Sequence, residues 1–584
     1  MVTQITLGNI FTQNDRQVIT GGQSGLDIEG LIKGIIEARR QPAIVLEKNI
    51  EKNAKSSTAL GEMRTALNKL KDAANFLRKP PGVQNSSDNI FEYRSATLTS
   101  NSSVTASNYL GITVKPGAKI TNYEVEVKQL ATSNTYVTNT ISATDLNTAV
   151  VGSGASFAIQ DGTLNVGANG TAIALTAGDT LAQVVSKINA AKGISGVEAD
   201  TIKVADGQYR LSLKTIKTGA AENYNLAASA TFSNIGFAIS KTADDAIINV
   251  DGTDIQRSSN SFDDVVSGVA FTLSQVTPLA TKIKVDVKAD IEIAQQGILN
   301  FVNAYNEFRL FASKQSQVGD DGKPLEDSIL AGNTTLNFIN SRISSEMASV
   351  VSGITNNLDP DRLADIGIKF TDFPGNEDDP FTRNILNIDE DALKAALESN
   401  FDAVRKVFEF DYSSDNSNFQ IFQRTNDLSI NNFNVNIVGT TYNATYTDSL
   451  GATQTIELDG TPSVGADGVV LKGKENTPLA GLVMIYGANG DATISVNVSH
   501  GLGDRLYNSL DEMLKTDTGA VDVELKALAS KDERSKTRIT TIDEQLSRYR
   551  DQLLNQYSAL EAAINSANSI LQTLEANANA AQNN

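Results

Sequence analysis

Long heptad-patterned stretches occupy both ends of this chain, and everything that alternates like β-strand lies between them. From Ile539 an apolar seam passes through Ile542, Leu546, Tyr549 and Leu553, and goes on through Leu560, Ala563, Ala567, Ile570 and Leu574. Its steps are three and four residues, with Gln556 the one gap. Leu60, Met63, Leu67, Leu70, Ala74 and Leu77 repeat those steps near the other end. A helix with one apolar stripe must cover it, so both ends call for helical partners. The expected fold is α+β and multidomain, with terminal coiled-coil helices and a helical core from which antiparallel β-rich domains are looped out. That is the build of a filament component rather than of an enzyme.

At 584 residues the chain exceeds what one core supports, so three to five units are expected. Lys and Arg total 49 against 69 Asp and Glu, a formal charge of -20 that repels phosphate backbones and anionic membranes. Nucleic acid is therefore not an expected partner. There is no cysteine, which rules out disulfides and thiolate metal sites and suits a chain threaded unfolded through a narrow export channel. Residues 1–23 hold no apolar run of the kind that marks a cleaved secretory signal, and no stretch of 18 apolar residues is present to span a bilayer.

Residues 1–23 read as mobile until docked. A helix is expected from Ser24, where Ser24 and Asp27 have capping-box spacing and Ile28, Leu31, Ile32, Ile35 and Ile36 follow on one face. Pro42 is expected to end it and to start a second helix reaching Arg78. From Phe91 to Val287 the period becomes two, as in Tyr123-Glu-Val-Glu-Val127, broken by one helical stretch from Asp179 to Ala191. Helical patterning returns at residues 289–318, 333–351 and 389–408, a second β-rich block covers 411–499, and helix resumes at Gly503 with a break at 516–522. Asn-Gly or Asp-Gly occurs eight times, each a hairpin-turn signal. The expected division is a terminal leg (1–41 and 530–584), a helical core (42–85, 285–410 and 501–529), a β-rich head (86–140 and 243–284), a second head (141–242) and an inserted β-rich accessory domain (411–500).

Residues that might carry chemistry do not form a site. Gly468 to Lys474 has P-loop spacing, but Glu475 stands where magnesium binding needs a hydroxyl, and Val469, Val470 and Leu471 read as strand. His500 is the only histidine and lacks a nucleophile elbow, so it reads as structural or solvent-facing. Asp359, Asp361 and Asp365, and likewise Glu377, Asp378 and Asp379, read as turn and helix-start residues; the second cluster fits no EF-hand loop.

An ordered series of motifs is more telling. Ser24-Gly-Leu-Asp-Ile-Glu-Gly-Leu-Ile32, followed by Gln41-Pro42 and the seam of residues 60–77, resembles the N-terminal segment of the flagellar filament capping protein family, also called hook-associated protein 2. Tyr123 to Ala131 is similar to its strand motif ending in Leu-Ala, and residues 178–213 resemble the small module shared with flagellins. Val250-Asp251-Gly252, residues 258–260 and 266–273, Leu363 to Ile368, Leu386 to Leu393 and Val404 to Phe408 follow in family order, with the C-terminal coiled coil last.

The resemblance implies a ring of copies of this chain, five being the expected number, at the distal tip of the filament. It implies legs that dock where flagellin is inserted, formed by Ile28, Leu31, Ile32 and Ile35 on the N-terminal side and by the Ile539, Ile542, Leu546, Tyr549, Leu553, Leu560, Ile570 and Leu574 seam on the other. The β-rich domains would form a plate that retains exported flagellin and helps it fold. Further implied partners are the hook–filament junction proteins and an export chaperone on the C-terminal helix, with passage through the flagellar export apparatus. No cofactor, metal, catalysis or membrane insertion is implied. Two other readings compete: a hook–filament junction protein, and a surface adhesin using the β-rich blocks.

Overall fold

Asp27, rather than Ser24, starts the first long helix: its carboxylate accepts the Gly30 N–H at 2.8 Å. The computed structural model describes residues 9–13, 16–20, 27–80, 89–226, 230–319, 321–354, 356, 358–371, 384–424, 428, 430–462 and 467–582. Ser24 and the Glu377, Asp378 and Asp379 cluster lie outside these. The helices are α1 (Ile28–Asn75), α2 (Leu181–Ala190), α3 (Lys192–Ser195), α4 (Ile291–Gln315), α5 (Thr334–Ala348), α6 (Glu390–Ser399), α7 (Phe401–Phe408), α8 (Leu502–Leu514) and α9 (Ala520–Gln582).

One expectation about a helix end is corrected, and one helical stretch proves to be divided. Pro42 lies inside α1, which runs on as one helix of 48 residues. Proline in a helix interior costs about 3 kcal/mol, and burial of one long face on α8 and α9 outweighs it. The stretch 389–408 is two helices, because the Asn400 side chain accepts the Ala403 N–H at 3.1 Å and opens a new one. The segment read as mobile, residues 1–23, carries an antiparallel hairpin, Asn9–Gln13 with Arg16–Thr20, whose second strand lies beside α9.

The chain forms two compact units. The first takes Met1–Arg78, Leu299–Leu393 and Lys406–Asn584. Here the C-terminal half of α1 packs on α8, and α8 also meets α5 and α9. Leu60, Met63, Leu67, Leu70 and Leu77 are fully buried, as are Phe301, Phe308, Ile339, Ile343, Leu506 and Leu510. Lys69 reaches Glu307 at 2.5 Å, and Arg309 of α4 donates to Asn340 and Ser344 of α5.

The same unit holds an eight-stranded antiparallel sheet. Its order is Phe410–Ser414, Ala492–His500, Asn432–Val438, Thr441–Thr447, Thr453–Pro462, Val469–Gly473, Val483–Tyr486 and Phe419–Gln423. The two outermost strands are consecutive in sequence and separated only by residues 415–418, so the sheet is rolled around one apolar core, with Phe433, Val435, Ile437, Leu471, Met484, Ile494 and Val496 inside. Its ends meet, since Phe410 and His500 are ladder partners.

Seven of the eight Asn-Gly and Asp-Gly glycines have positive φ, as hairpin turns require. Asp459-Gly460 is the exception. It lies inside a strand, with Gly460 opposite Leu471, because any Cβ there would strike the Tyr442 ring. Gly501, between the last strand and α8, is tighter still: a Cβ would meet backbone atoms of Phe408 and Glu409. Gly501→Ala is expected to destabilise this unit by at least about 2 kcal/mol. Gly61→Ala, in open space on α1, should be neutral or stabilising by up to about 1 kcal/mol. Urea unfolding of both variants checks the pair.

The second unit comprises Lys79–Ile298 and Lys394–Arg405. A five-stranded sheet runs Thr253–Arg257, Ala246–Val250, Thr121–Gln129, Ile283–Ala289 and Arg94–Ser100, and a three-stranded one runs Ser261–Val266, Val269–Leu273 and Leu110–Val114. The alternation seen in sequence points Val125, Val127, Ile283, Val285 and Val287 into their shared core. A second core lies under Val197–Ala205, Gln208–Thr215, Thr135–Thr138 and Phe237–Lys241. There α2 begins with a Thr180/Gln183 capping box and buries Leu181, Val184 and Ile188. All the named strand pairs are antiparallel, as the turn signals indicated.

Candidate assembly surface

The helix pair is antiparallel: α1 and α9 are tied by Arg40 to Asp543 at 2.9 Å, Asn53 to Asp532 at 2.6 Å, and Arg64 to Asp522. Hydrogen bonds to Asp543 and then Glu47 raise the pKa of the Arg40 guanidinium and keep it charged. Arg39 stacks over the Tyr549 ring with 4.2 Å to its centroid. At the far end of the pair Ile28 and Ile32 pack on Leu553 and Leu554, flanked by Ile35, Ile36, Tyr549 and Tyr557.

The expected seam is therefore only partly one seam. Leu546 and Leu553 are buried, and Ile539, Ile542 and Tyr549 are half-buried. Beyond Leu553 the covered stripe shifts by one residue, to Leu554, Tyr557 and Ile564. This shift puts Gln556 and Leu560 toward solvent, Leu560 being 48% exposed. Ile570, Leu571 and Leu574 are exposed as well, at 55–59%. On α1, Ile28, Ile32 and Ile35 face the pair while Leu31 is 48% exposed. Ile28 packs near Tyr557, so α9 continues for roughly 35 Å past α1, bearing an apolar row that is exposed among the described residues. A strict heptad reading missed Leu554; the adjacent Leu553-Leu554 pair was the available signal.

Sequence reasoning also missed a charge cluster where the rolled sheet joins the helices. Asp504 of α8, its side chain 3% exposed, accepts from Arg424 at 2.6 and 3.2 Å and lies 3.8 Å from Arg78. Arg78 stacks on Tyr507 and Arg424 on Phe410, at 3.5 and 4.1 Å to the ring centroids. Burial lowers the pKa of Arg78, and Asp504 opposes that shift.

His500 stands beside this cluster, edge-on to Phe410 at 5.2 Å. Burial lowers its pKa from 6.5 to about 4, with Arg424 and Arg505 adding to the shift and Asp504 opposing it. The unfolded chain thus binds a proton between pH 6.5 and 4 that the folded chain refuses, and stability falls as pH drops through that window, by up to about 3 kcal/mol. His500→Gln should flatten this part of the stability–pH curve, which denaturant titrations at pH 7, 5.5 and 4.5 would read.

The P-loop-like stretch is strand Val469–Gly473, and Lys474 pairs with Glu457 at 2.7 Å. Asp365 accepts the Asp361 and Arg362 N–H groups, a helix-start role, and Asp359 accepts from Asn356. No helix among the described residues is long and apolar enough to cross a membrane.

The flagellar hook-associated protein 2 C-terminus family model matches residues 243–569, more than half of the chain. The chain belongs to the flagellar hook-associated protein 2 family. The N-terminus model of that family matches residues 24–134, and the flagellin hook IN motif matches 163–217, which takes in α2 and its neighbouring strands. The A-type flagellar hook-associated protein 2 of Pseudomonas aeruginosa is 26% identical over 417 residues, 67% of this chain and 80% of that protein. The flagellar hook-associated protein 2 of Escherichia coli K12 is 27% identical over 407 residues, 66% of this chain and 78% of that one. The crystal structure of the D1-D2-D3 domains of the flagellar cap protein FliD from Escherichia coli covers 60% of this chain and 89% of its own, at 26% identity and a TM-score of 0.42. As a hook-associated protein 2, the chain is a flagellar filament cap protein, a structural component of the flagellum. The family associates with flagellin and forms oligomers.

Proposed function

We propose that this hook-associated protein 2 sits at the distal tip as a ring of five copies, retains exported flagellin there and promotes its folding and insertion. The observation that carries this reading is the uncovered apolar row of Leu560, Ile570, Leu571 and Leu574 on the part of α9 that outruns α1. An exposed apolar row marks a surface that a partner covers. During filament growth its cover is the growing filament end, where the paired helices act as a leg. Before export its cover is a chaperone on the same helix. Passage through the flagellar export apparatus, an initial seat on the hook–filament junction proteins, and a division of labour among leg, helical core, two heads and inserted domain complete the reading. No bond-making chemistry is required of it.

Electron microscopy of a strain lacking the gene, together with an assay of its culture medium, tests the proposal. Monomeric flagellin in the medium and bare hooks are expected. Filaments of normal length on such cells would overturn it.

A further inference from the structure

We infer that the outward face of the rolled eight-stranded sheet binds a neutral, hydroxyl-rich ligand, an uncharged oligosaccharide. A groove of about 680 Å³ lies on this face where four strands run side by side. Ser413, Asn497 and Asn432 stand opposite one another in one row across it. Ser495, Asn434, Thr445 and Thr455 form the next row, in register. The amides of Asn432 and Asn434 and the hydroxyls of Ser413 and Ser495 are exposed, and among the described residues they make no hydrogen bond to the protein.

The chemistry of this lining selects the ligand class. Amides and hydroxyls each donate and accept, which matches sugar hydroxyls, themselves donors and acceptors. Of the twelve lining residues one is charged, Asp415, which accepts the Ser495 N–H at 2.9 Å through one oxygen and keeps the other for a ligand hydroxyl. With no lysine or arginine in the groove, nucleic acids and sialylated or sulfated glycans find no counter-charge. The neutrality is local: farther along the same sheet Glu457, Asp459 and Lys474 form an ordinary ion-paired surface at 2.7 and 3.6 Å. The volume is that of a small-ligand site. This inference is independent of the capping role.

The test is a printed array of mannose-, galactose- and N-acetylglucosamine-terminated oligosaccharides beside sialylated and sulfated ones, probed with the full chain and two variants. Neutral glycans should be retained by the parent protein. Asn432→Ala combined with Asn434→Ala should weaken retention at least tenfold with no change in thermal unfolding. Glu457→Gln, on the ion-paired part of the sheet, should bind as the parent does. Absence of any bound neutral glycan, preference for the anionic ones, or undiminished binding by the double variant would each overturn the inference. So would a double variant whose only change is a smaller oligomer in sedimentation, since the face would then be an interface between copies.

Discussion

Asp504→Ala is expected to cost the first compact unit about 4 kcal/mol. The carboxylate is almost fully buried, takes two hydrogen bonds from Arg424 and faces Arg78. Its removal leaves two guanidiniums in a low-dielectric site without their counter-charge, and breaking a buried pair from one side typically costs 3–5 kcal/mol. Asp504→Asn, which keeps the shape and one acceptor, should fall between parent and alanine. Urea unfolding followed by circular dichroism reads all three; an alanine variant within 1 kcal/mol of the parent would mean that water reaches the cluster. The same cluster changes what can be expected of excising the inserted sheet. Its ends are adjacent, which favours a clean excision, but excision also removes Arg424. Deleting residues 411–500 should therefore destabilise the helical part, and the loss should shrink when Arg78→Met and Asp504→Leu accompany the deletion.

Leu553→Asp and Leu560→Asp should behave differently, although the two residues belong to one heptad row in the sequence. Leu553 is 7% exposed and packs on Ile28 and Ile32. A carboxylate there costs several kcal/mol and should release the start of α1, seen as faster amide exchange over residues 28–40. Leu560 is 48% exposed, so its replacement should leave amide exchange unchanged and instead stop filament elongation. Motility equal to the parent in Leu560→Asp would remove the exposed row from the docking surface, and faster exchange would show that the row is packed within the chain.

What was readable from the sequence was periodic. Heptads located α1 and α9, alternation located the sheets of both units, and Asn-Gly and Asp-Gly pairs located most hairpins, because each of these signals is written within a few residues. Features set by distant partners were not readable. Pro42 looked like a helix end because the partner that α1 packs on past it lies some five hundred residues away. Gly460 looked like a turn because the Tyr442 ring that demands a glycine belongs to another strand. The Arg78–Asp504–Arg424 cluster joins three separate segments, and no local pattern marks it. Of the candidate surface, the stripe that packs on α1 was legible as far as Leu553, whereas the shift to Leu554 depends on how α1 lies against α9.

Pairing α1 with α9 also sets a timetable. Arg40 and Asp543 are 503 residues apart along the chain, so the cover of the first helix cannot exist until nearly the whole polypeptide is free to fold. Contacts so remote form late and slowly, after the local hairpins and the short helices have settled. Whichever of the two helices forms first must wait for the other. The two-helix limb is thus expected to be completed late, and until then both of its apolar stripes are open to whatever lies nearest.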